Sequence, residues 1–238
     1  MQTSPPTILV DSLPRGPRVT FKDSTFFARN GPEATFPSAD QVRAKSEAGD
    51  HVLDRKNTVI FESLGLVVKF GKEPRVTVAE GQCLWWLYRY LLSVSVPEIY
   101  GWTEDGGKVF LYMELVKGMT LEKRWDSLSR DDKVGVCEQL RHMVNELRRI
   151  KRDPEDRFLD WHQSGWYPDY WEFYKAVYTN HWEFYKAVYT NHWEFYKAVY
   201  TNHWESEWVQ EYIPMFLEEP QETFIDGIDN YARSWGFM

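Results

Sequence analysis

Hydrophobic and polar positions alternate with a short period through the middle of the chain and then switch to a helical one. Asn57–Phe61 and Leu66–Phe70 are β-rich runs on either side of Glu62-Ser63-Leu64-Gly65, a pattern that predicts a hairpin. Thr77–Leu92 predicts a helix, with Thr77 and Glu80 at capping-box spacing. Ile99–Thr103 and Val109–Met113 flank Asp105-Gly106-Gly107 and predict a second hairpin. Glu114–Gly118 then reads as a connector, with a helix starting at Thr120.

Beyond the connector the apolar residues recur at three-to-four spacing. Val134, Cys137, Leu140, Val144, Leu147 and Ile150 line one helical face, Ser129 and Asp132 form a capping pair, and Arg148, Arg149, Lys151 and Arg152 sit where cations suit the helix dipole. Before the first hairpin the chain is different. Six of its twelve prolines precede residue 38, mixed with Gly, Ser and Thr, so residues 1–49 read as a partly irregular arm laid on the domain rather than its core. The order predicts an α+β protein with three parts: the arm, a small antiparallel sheet with one helix at 50–118, and a helical region at 119–238.

The helical region contains an identical repeat. WEFYKAVYTNH occurs at Trp171–His181, Trp182–His192 and Trp193–His203, and Trp204-Glu205 begins a further copy that diverges. These copies hold 12 of the 40 aromatic residues and account for much of the 17% aromatic share. Eleven residues make about three helical turns, so each copy keeps its Phe, Val, His, Tyr and Trp on one arc and its Lys, Thr, Glu and Asn on the other. The repeat predicts a long helix from Trp171 to about Ile213, continuous or broken at a Thr-Asn-His junction and ended by Pro214, whose aromatic face favours self-association. His181, His192 and His203 form a stripe, but neighbours along a helix would be about 16 Å apart, too far to share a metal.

Composition narrows the function classes. A net charge of -8 argues against a nucleic-acid partner, and from Trp204 onward eight carboxylates face Arg233 alone, a solvated acidic face or an attractor of cationic substrates. Cys83 and Cys137 are far apart, so neither a disulfide framework nor a CxxC metal site is predicted. The first residues lack a basic segment followed by a long apolar run, and Leu84–Val96 is interrupted by Arg89. The sequence predicts a cytoplasmic protein with no membrane partner.

Lys69 stands inside Leu66-Val67-Val68-Lys69-Phe70, a strand that otherwise wants apolar side chains. Such a lysine either points to solvent from an exposed strand face or offsets phosphate charge, and Glu80 is either a helix-capping residue or its ion-pair partner. The order strand with lysine, helix with glutamate, Val96-Pro97-Glu98-Ile99-Tyr100-Gly101, strand, then Glu114-Leu115-Val116-Lys117-Gly118 is that of a kinase N-lobe and hinge. The segments NTVIFESLGLVVKFG, VPEIYGW, FLYMELVKGMTLEKRW and DWHQSGWYPDYWEFYKA resemble the aminoglycoside phosphotransferase family of kinase-fold proteins, in particular its fungal branch, from about Phe26 onward.

That resemblance implies a protein-kinase-like fold and ATP-dependent transfer of a phosphoryl group to a hydroxyl of a small-molecule substrate. It implies that Lys69 contacts phosphates with Glu80 as its partner. Met113, Glu114 and Leu115 match the hinge whose backbone holds adenine, and Asp160 of Asp160-Trp161 matches the Mg2+ ligand. The chain also departs from the family pattern. Members carry an H-G-D-x-x-x-x-N loop before the Asp-Trp motif, whereas Arg157-Phe158-Leu159 runs straight into Asp160 and none of the six histidines precedes Gly-Asp. The base aspartate and a second metal ligand are absent from the sequence, so no catalytic residue is assigned and a pseudokinase is expected. A different class of function is a non-catalytic interaction or scaffold protein that works through the aromatic repeat helix.

Overall fold

In a computed structural model, residues 6–48, 57–73, 75–152 and 211–217 are described. The chain divides into two compact units, Met1–Gly118 with Arg149–Gly165, and Met119–Arg148 with Trp166–Met238.

The first unit is mixed α+β, built on a five-stranded antiparallel sheet. Its elements are β1 (Thr7–Ile8), β2 (Arg18–Thr20), α1 (Thr25–Asn30), α2 (Ala39–Glu47), β3 (Thr58–Phe61), β4 (Leu66–Gly71), α3 (Val78–Tyr90), β5 (Ile99–Asp105) and β6 (Lys108–Glu114). The strand order is β2-β5-β6-β4-β3. β1 stands apart from the sheet and pairs in parallel with β7 (Lys151–Arg152).

Both predicted hairpins form. β3 and β4 join through a 3-10 turn that Gly65 ends in the left-handed region at φ 58°. β5 and β6 join through Gly106 and Gly107, at φ 57° and 68°, the two positive angles that a tight primed turn requires.

The sheet has two buried faces. In β4, Leu66, Val68 and Phe70 point to one face, where they meet Phe26 and Phe27 of α1, Val42 of α2, Phe110 and Tyr112. Leu111 and Met113 of β6 point to the other face, with Ile99 and Trp102 of β5, and α3 packs there through Val78, Leu84 and Trp85. Burial on both sides explains why β6 reads as the unbroken apolar run Val109–Met113.

The segment expected to be an arm is part of this core. β2 pairs with β5, Phe26 and Val42 are fully buried, and Phe36 stacks on Tyr112 with ring centroids 4.6 Å apart. Six residues of α1 are too few to display a helical period, so the prolines around it dominate the sequence pattern.

The second unit contains α4 (Leu121–Arg124), α5 (Arg130–Arg148) and α6 (Ile213–Phe216). The capping pair of α5 is reciprocal: the Asp132 amide donates to Ser129 Oγ at 3.1 Å, and the Ser129 hydroxyl donates to Asp132 Oδ2 at 2.6 Å. Ile150, assigned to this helix by periodicity, lies past its end and is buried just before β7. Pro214 lies inside α6, which follows a π-helical stretch at 211–212 and runs on to Phe216, rather than after a helix ending at Ile213. α6 packs on α5, with Arg130 Nη2 2.5 Å from Glu211 Oε1 and the Arg141 guanidinium donating to the Met215 carbonyl. The repeats at 171–203 lie outside the described residues.

Candidate functional site

Lys69 lies on the face of β4 opposite Val68 and Phe70, the face covered by α3. Its Nζ donates to Glu80 Oε1 at 2.6 Å. The two side chains are 33% and 30% exposed, so they meet at the edge of the core. An ammonium carries three donors, and the contact with Glu80 orients the group while leaving two for an anion.

Local sequence places Glu80. The Thr77 hydroxyl accepts the Glu80 amide at 3.2 Å and starts α3 there, while the glutamate carboxylate turns to Lys69. The next residue, Gly81, lets the helix approach the sheet. A Cβ at Gly81 would lie 3.0 Å from the Trp102 ring and 3.1 Å from Leu111 Cδ2, and Leu111 is the register partner of Lys69. Only a glycine allows that approach without displacing one of the two neighbours. One turn from Glu80, the Cys83 thiol is pushed up to about 12 by burial and, second, by the Glu80 carboxylate.

The backbone at the end of β6 is already engaged. The Glu114 amide donates to the Glu98 carbonyl at 2.8 Å, and the Leu115 amide donates to the Gly65 carbonyl at 3.1 Å. Met113 is paired on both sides, with Val67 of β4 and Ile99 of β5. The next residue, Val116, is 66% exposed, and its amide has no partner among the described residues. Of the hinge set Met113, Glu114 and Leu115, the two amides at the strand end serve the sheet, and the first available donor lies one residue further on.

Glu98 has no signature in the sequence. It is 7% exposed, and its carboxylate accepts the Thr25 amide at 3.2 Å together with the Thr25 hydroxyl, capping α1. Tyr100 joins this network, its hydroxyl 2.8 Å from Arg29 Nη2. Tyr88 of α3 is held above its ordinary range, first by burial and then by the Glu98 and Glu114 carboxylates. A carboxylate beside a proline at a strand entrance follows no spacing rule, so only the fold reveals this network.

Compared with protein-family models, curated proteins and solved structures, the chain matches none. Asp160 lies outside the described residues. Among those that are described, no group of three His, Cys, Asp or Glu side chains could hold a metal ion, and no helix is long and apolar enough to cross a membrane.

Proposed function

We propose that the chain is a kinase-like phosphotransferase homologue of the aminoglycoside phosphotransferase type, which holds ATP and transfers its phosphoryl group poorly or not at all. The observation that carries this reading is the 2.6 Å bond between Lys69, inside a strand, and Glu80, in the first turn of the next helix. A lysine so held contributes a fixed positive charge at the edge of the core, which is what nucleotide phosphates need. The strand order and the exposed connector after Glu114 support the same reading.

The residues fit such a ligand in part. Lys69 would hold phosphates, and adenine would take its backbone donor from Val116 rather than from Glu114 or Leu115. Mg2+, if bound, would offset phosphate charge, with Asp160 as its ligand. The family's base-bearing loop is absent from the sequence, and general-base catalysis contributes about 10²- to 10⁴-fold.

The purified chain is expected to unfold at a higher temperature with Mg-ATP than without, and Lys69→Met to lose that increment. Mass spectrometry of a panel of small hydroxyl compounds incubated with Mg-ATP should show no enzyme-dependent phosphorylation. No thermal increment with the wild-type chain would refute nucleotide binding, and turnover lost in Asp160→Ala would refute impairment.

The identical copies of WEFYKAVYTNH favour a second reading, a non-catalytic interaction protein that self-associates through its repeats. Sedimentation of the full chain and of a chain lacking 182–203 separates the two. Concentration-dependent association confined to the full chain supports the interaction role.

A further inference from the structure

The face of the sheet turned away from Lys69 carries a cavity of its own. Its volume is 480 Å³, inside the range of about 300–1,000 Å³ typical of small-molecule sites. β2, the loop before α2, the start of α2, and the β5–β6 hairpin enclose it. Phe27, Phe36 and Tyr112 supply aromatic surface, with Phe36 and Tyr112 stacked at an interplanar angle of 10°. The Tyr112 hydroxyl is spent on the Pro37 carbonyl at 3.1 Å, which fixes the loop against the strand.

The charges around the cavity are unequally satisfied. Arg43 bridges the two lining carboxylates, 2.7 Å from Asp40 and in contact with Asp105, so each has a counter-ion. Lys22 donates to the Pro32 carbonyl at 3.2 Å and sits over the Phe27 ring, 4.1 Å from its centroid. Of the two lining cations, the Arg18 side chain has no hydrogen-bond or ion-pair partner among the described residues, and its charge acts on the Tyr112 hydroxyl across the cavity wall. The lining itself holds two cations, Arg18 and Lys22, against Asp40 and Asp105, and both carboxylates are paired with Arg43, which stands outside the lining.

We propose that this cavity is a binding site for a small aromatic anion, with Arg18 holding its carboxylate or phosphate and its ring lying against Phe36 and Phe27. A planar guanidinium pairs with both oxygens of such a group, and a flat ring matches the aromatic wall. Arg43 offsets the charge of the two acidic side chains on the rim. The site is independent of the nucleotide reading, because Arg18, Thr103 and Tyr112 face the α1–α2 side of the sheet while Lys69 faces α3.

The test uses the full chain, ¹⁵N-labelled, titrated with benzoate and with phenyl phosphate. Benzylamine serves as the same ring with opposite charge, and acetate as the same charge without the ring. Benzoate or phenyl phosphate should shift the amides of Thr20, Ala39 and Thr103 saturably, with benzylamine and acetate weaker by about tenfold or more. Arg18→Ala and Arg18→Gln should each weaken the aromatic anion by about fivefold or more while keeping the wild-type unfolding midpoint. Arg18 is an exposed edge-strand residue, so the two variants together separate lost binding from lost folding. Benzylamine binding as tightly as benzoate, shifts centred on Lys69, or both Arg18 variants binding within about twofold of wild type would overturn the proposal.

Discussion

Lys69 Nζ lies 2.6 Å from Glu80 Oε1, joining the centre of β4 to the first turn of α3. Each partner is about a third exposed, and pairs of that kind contribute about 0–1 kcal/mol to stability. Lys69→Met and Glu80→Gln are therefore expected to lower the urea unfolding free energy by less than about 1 kcal/mol each. The same variants should abolish the thermal increment produced by Mg-ATP. A large loss of stability in both would assign the pair to folding rather than to ligand binding.

Gly81 sets the distance between α3 and the sheet. Ala at this position gains about 1 kcal/mol in helix propensity but crowds Trp102 and Leu111, so the two effects largely offset. Gly81→Val adds two further methyl groups to a Cβ already in close contact and forfeits the propensity gain. It should cost about 2–3 kcal/mol in denaturant unfolding and weaken the Mg-ATP increment by moving Glu80.

Gly101 lies at the register shift in β5, where the strand bulges between Ile99 and its next paired residue. A Cβ there would run into the Val19 carbonyl of β2, backbone that cannot turn aside, and would press on the Phe36 ring at 3.1 Å. Gly101→Ala should cost about 2–3 kcal/mol, read from the midpoint of urea unfolding. Loss of the β2–β5 pairing would appear as faster amide exchange at Val19 and at Phe21, whose amide donates to the Tyr100 carbonyl.

Cys83 has a pH signature. Its thiol is moved from an ordinary 9.0 to about 12 in the fold, so above pH 9 the unfolded chain releases this proton while the folded chain keeps it. Stability falls as pH rises through that window, with a slope approaching about 1.4 kcal/mol per pH unit from this group. Cys83→Ala should flatten the decline in unfolding free energy between 9 and 12. The native thiol should also react slowly with an aromatic disulfide at neutral pH, compared with the same chain in denaturant.

Asp132 has the opposite sign. Its carboxyl is held below 3.8 by the Ser129 hydroxyl and then by the Ser129 backbone, so its contribution is present above 3.8 and is lost as pH falls through the lowered value. Circular dichroism of the full chain should show α5 weakening in acid. Ser129→Ala removes the main partner and should shift that loss to higher pH.

The legible parts of the fold are those where a local rule acts alone. Two glycines between apolar runs dictate the β5–β6 turn whatever surrounds it, because few other residues adopt positive φ twice in succession. Thr77 three residues before Glu80 starts α3, and Ser129 three before Asp132 starts α5, because an N-cap hydroxyl reaches the free amides of the first turn. Lys69 is conspicuous because Val67, two residues before it on the same face, is apolar, so an ammonium interrupts a strand whose two faces both read as buried. What the sequence determined by itself is thus the identity of these elements and of the residues unusual within them.

Tertiary structure decided which distant residues meet. Phe26 and Phe27 sit among prolines, yet the sheet face they cover makes them core, since burial depends on what packs opposite and not on neighbours in the chain. Glu98 becomes a helix cap only because β5 runs beside α1, 73 residues away. The Leu115 amide looks free in the sequence and is taken by Gly65, because strand register, set by the buried faces of β4 and β6, carries that carbonyl to it. Arg18 lines a cavity through the same kind of long-range pairing, β2 on β5. Local spacing fixes bonds between near neighbours, whereas hydrophobic burial is non-directional and selects long-range partners only when the whole sheet closes on its two faces.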